Sequence, residues 1–161
     1  MKRFLLASLA LLMIAGAAFA APVTIDFWHA MTGKNGDTVQ AICDRFNASQ
    51  SEYKIVPVYK GSYSDTMNAG IAAFRAKSAP AIIQVYEVGT ATMMAAKGAV
   101  KPVYQLMKET RQKFDPKIYI PTITSYYSTS KGEMLSLPFN SSTSVMYYNK
   151  DAFRKAGLDP E

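Results

Sequence analysis

The chain has 161 residues, 49% of them apolar, with 18 Lys and Arg against 12 Asp and Glu, one His and one Cys. That is the size of about one domain, and its ordinary balance excludes global disorder. A single Cys excludes an internal disulfide framework and any thiolate-rich metal cluster.

Lys2 and Arg3 open the chain, and Phe4 to Ala15 is apolar or small throughout apart from Ser8. Ala18-Phe19-Ala20 then places small residues where signal peptidase reads. Residues 1–20 read as a secretory signal peptide, cleaved between Ala20 and Ala21. Proline at 22 disfavours cleavage one residue later. The run is shorter than the ~20 apolar residues of a membrane-spanning helix. Cys43 lies too far downstream to carry a lipid anchor. Loss of Lys2 and Arg3 leaves 16 basic against 12 acidic residues, a charge of +4. The densest basic cluster, Lys108, Arg111, Lys113 and Lys117, reads as a solvated helix face. No aromatic-interleaved basic stripe accompanies it, so nucleic acid is not an expected partner. Nothing after residue 20 is apolar over a length that spans a bilayer.

The rest of the chain alternates strands and helices. Val23 to Trp28 is β-rich and reads as a first strand, followed by a turn at Gly33 to Gly36. Asp37 to Ala48 carries Val39, Ile42, Cys43 and Phe46 at helical spacing, with Asp37 as its cap. Tyr53 to Tyr59 reads as a second strand, and its Pro57 assigns it to a sheet edge or to a strand end. A second helix starts near Ser64, capped by Ser64 or Asp65, with Met67, Ile71 and Phe74 on one face. Ala81 to Tyr86 is a short apolar strand covered on both faces. Thr90 to Lys97 is a short helix stopped at Gly98.

This order predicts an α/β fold with a mostly parallel sheet and helices on both faces. Val103 to Lys113 is helical. Ile118 to Tyr127 stays ambiguous because Pro121 interrupts it. Glu133 to Phe139 and Ser144 to Asn149 read as two further strands. Lys150 to Ala156 begins a helix stopped at Gly157. The final Leu158-Asp159-Pro160-Glu161 has loop character after a helix of barely two turns, and leads to the expectation of an N-terminal part of a longer protein.

Catalytic motifs are absent: no G-x-S-x-G, no H-E-x-x-H and no G-x-x-x-x-G-K. His29 follows the first strand, at the end where open α/β sheets bind ligands, but it reads as a hydrogen-bonded structural residue. Cys43, on the apolar helix face, reads as core, as does Trp28. Three other places are more informative. Glu87 directly follows the apolar strand AIIQVY, where a buried carboxylate is costly unless something satisfies it. Lys60-Gly61-Ser62-Tyr63 follows the second strand with a hydroxyl, a phenol and backbone N–H groups. Residues 137–144 include Asn140-Ser141-Ser142-Thr143-Ser144 between two apolar runs. Carboxylate, phenol and hydroxyls suit a small polyol, with Glu87 accepting from paired hydroxyls and turned away from any phosphate. The plainer local reading makes Glu87 a helix cap, Tyr63 a surface packing residue and the Ser/Thr run a solvated loop. Both readings stand at this point.

At these residues the sequence resembles the periplasmic solute-binding proteins of ABC importers, and within them the glycerol-3-phosphate branch. The matching runs are IDFWHAM (25–31), YKIVPVYKGSY (53–63), AGIAAFRA (69–76), PAIIQVYEVGTATMMAAKGAVKPVY (80–104) and LPFNSSTSVMYYNKDAFRKAGLDPE (137–161). YNKDAFRKAGLDP is shared widely in the carbohydrate-binding branch, whereas QVYEVGTATMMAA and PFNSSTSVMYYNK are narrower. The resemblance implies a periplasmic-binding-protein-like fold: two α/β lobes joined by crossing strands, closing on a ligand held between them. Residues 21–143 would supply the first lobe, Ser144 to Asn149 a hinge-crossing strand, and residues 150–161 the start of the second lobe. It implies Tyr63, Glu87 and Ser142 as ligand contacts, with no catalytic residue, metal or cofactor. It further implies a periplasmic monomer, sn-glycerol-3-phosphate or its diesters as ligand, and a membrane permease with its ATPase as partners. A sugar or oligosaccharide is the alternative ligand, with Tyr126, Tyr127, Tyr147 and Tyr148 as candidate stacking platforms. A fragment without function is a further alternative. An exported phosphodiesterase or phosphatase fits poorly with one His and no clustered Asp.

Overall fold

The computed structural model describes residues 21–96 and 98–161. The expected signal peptide lies outside these residues, as does Lys97. Two compact units are distinguished, the first ending at Val100 and the second running from Lys101 to Glu161.

The first unit runs β1 (Val23–His29), α1 (Gly33–Ser49), β2 (Tyr53–Tyr59), α2 (Tyr63–Arg75), β3 (Ile82–Ile83) and α3 (Glu87–Ala95). Its three strands form one sheet in the order β2-β1-β3, parallel throughout. The α/β expectation is thereby met. Alternation along the strands sends successive side chains to opposite faces. Phe27 and Ile55 pack against Met31, Val39 and Cys43, so α1 covers that face and the Cys43 thiol is core. Burial pushes the thiol's pKa up. Trp28 and Ile83, register partners, belong to the other face. There Gly70 of α2 comes so near β3 that a Cβ would sit 2.4 Å from Ile83 Cδ1.

Of the two places the sequence allows for Pro57, a sheet edge or a strand end, the first is found, because β2 is an edge strand. The outward side of β2 is occupied by side chains of α1 and its C-cap. Asn47 Oδ1 accepts Ile55 N–H and its Nδ2 donates to Ile55 C=O, both at 2.8 Å. Gln50 treats Tyr53 the same way, again at 2.8 Å for both bonds. In a parallel strand alternate residues turn both backbone groups to the same side. Pro57 is two residues beyond Ile55, so its missing N–H also faces outward and no ladder bond is lost.

Several element boundaries differ from the expectations. α1 begins at Gly33, and so includes the stretch expected to be a turn. Its N-cap is Thr32, not Asp37, and Gly36 N–H donates to Thr32 C=O at 3.2 Å. Packing of Val39 and Cys43 against the sheet outweighs the low helix propensity of two glycines. α2 is capped by Ser62, one turn earlier than Asp65. Ser62 Oγ accepts Asp65 N–H at 3.2 Å, and the Asp65 carboxylate accepts Ser62 N–H at 2.9 Å, a complete capping box. β3 pairs only over Ile82–Ile83 and adds one bond, Gln84 N–H to Trp28 C=O at 2.8 Å. α3 starts at Glu87 rather than Thr90.

The second unit contains α4 (Val103–Thr110), a 3-10 turn at Pro116–Ile118, α5 (Pro121–Tyr126) and α6 (Lys150–Lys155). Pro121 opens α5, where its missing N–H costs nothing, and this resolves the ambiguous stretch 118–127. Arg111, at φ +55°, ends α4. The strand expected over Glu133 to Phe139 reduces to a single antiparallel bridge between Ser128 and Met134. Met134 and Leu135 instead offer their carbonyls to Tyr104 and Val103 N–H, both at 3.0 Å, satisfying orphan donors at the start of α4. Residues 144–149, also expected as a strand, have no ladder partner among the described residues. A strand exists only through hydrogen bonds to a neighbour, and here Tyr147 is 94% exposed. α6 forms as expected, capped by Asn149 Oδ1 and stopped at Gly157, φ +73°.

Candidate ligand-binding site

Because all three strands of the first unit are parallel, their C-terminal ends share one edge. From β1 the chain passes to β2 on one side, and from β2 across to β3 on the other. The gap beyond the ends of β1 and β3 is therefore the topological switch point, where open α/β sheets bind ligands. Three loops meet this edge: 30–32, 60–62 and 84–86. Each leads into the N-terminus of a helix, and helix N-termini present free N–H donors.

The edge is braced by backbone bonds. Lys60 N–H donates to His29 C=O at 2.9 Å. Ala30 N–H donates to the buried Gln84 Oε1 at 2.9 Å, bridging β1 and β3 where the ladder stops. His29 is buried, and its Nδ1 accepts Met31 N–H at 3.2 Å. Burial lowers its pKa, so the neutral ring is favoured. This is the structural role expected from the sequence. Trp28 is only half-buried, and Lys60 Nζ lies over its ring, 3.9 Å from the centroid, a cation–π contact.

Tyr63 is the first residue of α2, directly after the Ser62 cap, and is partly exposed. Glu87 is the first residue of α3, after Tyr86 as N-cap, and is exposed. A carboxylate in the first turn is stabilised by the helix dipole, so the helix-end reading and the ligand-facing reading of Glu87 are compatible. Tyr63 and Tyr86 stack, with ring centroids 5.7 Å apart and planes 19° apart. The sheet edge thus gathers Tyr63 and Glu87. Ser142 is in the second unit, exposed, within the run 137–149 that has no regular structure.

Three contributors escaped the sequence reading: Tyr86, Gln84 and Lys60 as a cation on Trp28. The signal available for Tyr86 was its place between a strand and Glu87. Gln84 was legible as a polar residue in an apolar strand. No group of three or more His, Cys, Asp or Glu able to hold a metal occurs among the described residues. No helix among them is long and apolar enough to cross a membrane.

The sequence and the fold match known proteins. The chain is 59% identical over 154 residues to the sn-glycerol-3-phosphate-binding periplasmic protein UgpB of Yersinia pestis, covering 95% of this chain and 35% of the relative. To the protein of that name from Escherichia coli O6:K15:H31 it is 58% identical over 160 residues, covering 99% and 36%. To that of Shigella flexneri it is 61% identical over 142 residues, covering 88% and 32%. The chain thus spans about a third of the length of the curated relatives it matches. Two solved structures share its fold. One is the cyclic alpha-maltosyl-1,6-maltose binding protein of Arthrobacter globiformis, with TM-score 0.60 and 24% identity over 88% of this chain and 34% of that one. The other is CpMnBP1 with mannotriose bound, with TM-score 0.62 and 20% identity over 86% and 34%. The model of the bacterial extracellular solute-binding protein family matches residues 32–161. The chain belongs to the family of bacterial extracellular solute-binding proteins.

Proposed function

We propose that the chain is part of the periplasmic binding component of an ABC importer that captures sn-glycerol-3-phosphate and hands it to a membrane permease and its ATPase. The observation that carries this reading is identity of 58–61% to proteins of that name, over nearly the whole chain. Residues 1–20 serve as the export signal, cleaved after Ala20. The protein binds its ligand and does not transform it.

Tyr63, Glu87 and Ser142 are the proposed ligand contacts. Glu87 accepts from the two glycerol hydroxyls, because a carboxylate attracts hydroxyl donors and repels phosphate. The Tyr63 phenol and the Ser142 hydroxyl donate to ligand oxygens. The position of Tyr63 and Glu87 at a switch-point edge supports this assignment. Residues 21–143 act as the first lobe, and 144–149 as a crossing segment toward the second. Glycerophosphodiesters fit the same hydroxyl-facing role of Glu87.

Isothermal titration of the full-length protein with sn-glycerol-3-phosphate, with maltose as competitor, tests the reading. Saturable binding of the phosphate ester, undisturbed by maltose, is expected. Binding of maltose alone would assign the protein to sugars. Intact mass of the exported product from its native host tests cleavage after Ala20.

A further inference from the structure

We propose that Tyr86 is the positioning residue of the candidate site, acting on the ligand through Tyr63. The inference rests on the functional reading above, in which Tyr63 and Glu87 contact the ligand. Tyr63 begins α2 and is partly exposed, so contacts with its neighbours select the rotamer of its ring. One such neighbour is Tyr86, stacked on it at 5.7 Å and 19°. Near-parallel aromatic pairs at this separation are attractive and geometrically selective.

Tyr86 is itself held from both ends. Its carbonyl accepts Gly89 N–H at 3.0 Å, Thr90 N–H at 3.1 Å and Thr90 Oγ1–H at 3.1 Å. Its ring lies against Gly89, where an added Cβ would stand 3.0 Å from Tyr86 Cε1 and 2.6 Å from Met67 Sδ. Met67 is four residues after Tyr63, on the same face of α2. The first turns of α2 and α3 therefore meet around one ring: Tyr63 and Met67 come from α2, Tyr86 and Gly89 from α3. Glu87 is covalently next to this anchor. Locking Tyr63 before the ligand arrives removes ordering cost from binding. A larger residue at Gly89 would crowd both Met67 Sδ and the Tyr86 ring.

The test is calorimetric titration of sn-glycerol-3-phosphate into the full-length protein and its variants, with thermal unfolding alongside. Tyr86→Phe keeps the stack and should bind within about twofold of wild type. Tyr86→Leu should weaken binding roughly 3- to 10-fold, the worth of one aromatic pair. Gly89→Ala, a milder change, should weaken it about two- to fourfold and also lower the unfolding temperature, because the added Cβ crowds Met67 and Tyr86. In a Tyr63→Ala background Tyr86→Leu should have no further effect, since a residue that acts through Tyr63 has nothing left to act on. Near-UV circular dichroism should show the same loss of tyrosine signal in Tyr63→Ala and Tyr86→Leu. Wild-type affinity in Tyr86→Leu, or additive losses in the double variant, would overturn the inference while the functional reading stands. A wild-type protein that binds no sn-glycerol-3-phosphate would overturn the functional reading and the ligand role of the stack with it.

Discussion

Asn47 grips Ile55 by both backbone groups, accepting its N–H and donating to its C=O at 2.8 Å each. One side chain of α1 thereby closes the outward edge of β2 at the position where a further strand would pair. Edge strands left open invite pairing with other chains, and this amide blocks that while tying helix to sheet. Asn47→Ala leaves two part-buried backbone groups without their partner. We expect a loss of about 1–3 kcal/mol in urea unfolding, and slower loss of monomer in Asn47 wild type than in the variant on prolonged incubation. An unchanged midpoint would mean that water serves Ile55 equally well.

His29 sets a pH dependence whose sign follows from its geometry. Its Nδ1 accepts Met31 N–H, and burial lowers its pKa, so the folded state favours the neutral ring. The unfolded chain takes up the proton near the ordinary value of ~6.5. Stability should be complete above that value, fall as pH drops through it, and level off below the lowered folded value. His29 is the only histidine in the chain, so the effect is separable from the carboxylates. The urea midpoint should be lower at pH 5.5 than at pH 8 in wild type, and this step should vanish in His29→Asn. A flat wild-type profile would contradict the buried neutral imidazole.

Ser62→Ala removes half of the capping box of α2. The expected loss is about 1 kcal/mol by urea unfolding, typical of a lost side-chain cap. Bonds from Ser62 also hold the Asp65 pKa below the ordinary carboxylate range. The stability that Asp65 contributes is present above its ordinary pKa and lost as pH falls through the lowered one. In Ser62→Ala the Asp65 titration, followed by NMR, should move up toward the ordinary value.

Glu87→Ala in the full-length protein should weaken sn-glycerol-3-phosphate binding by about 1–3 kcal/mol, through loss of charge-assisted bonds to hydroxyls. Glu87→Gln should lie between the two, since an amide oxygen still accepts but without charge. Thermal unfolding should change little, because Glu87 is exposed. A titration curve superimposable on wild type would return Glu87 to a purely helix-end role.

On the proposed two-lobed reading, residues 21–161 alone should bind the ligand far more weakly than the full-length protein, because closure of a second lobe would supply water exclusion and further contacts. Comparable affinity by calorimetry would refute this.

The sequence was most legible where periodicity and proline act locally. Tyr53 to Tyr59 carried its own strand signal, and Pro57 pointed to an edge or a strand end before any partner strand was known. Cys43 and Val39 at helical spacing marked the buried face of α1. Boundaries were less legible where packing overrides propensity: Gly33 and Gly36 read as a turn yet lie in a helix. The cap of α2 was missed by two residues because Ser62, Ser64 and Asp65 all qualify by type, and only the reciprocal bonds of Ser62 and Asp65 decide among them. The segment 144–149 has strand composition and no ladder, since pairing depends on a partner that composition does not specify.

Taken alone, the sequence determined the alternation of strands and helices in the first unit, a sheet edge or strand end for Pro57, the core role of Cys43 and the family. These follow from side-chain period, backbone chemistry and shared motifs, all of which are local. Only the tertiary structure decided that β1 is the central strand, that the switch point opens between β1 and β3, and that Tyr86 stacks on Tyr63 beside Glu87. Those facts join residues 23 and more positions apart, and strand order and ring contacts are settled by how whole elements pack rather than by any one segment's preference.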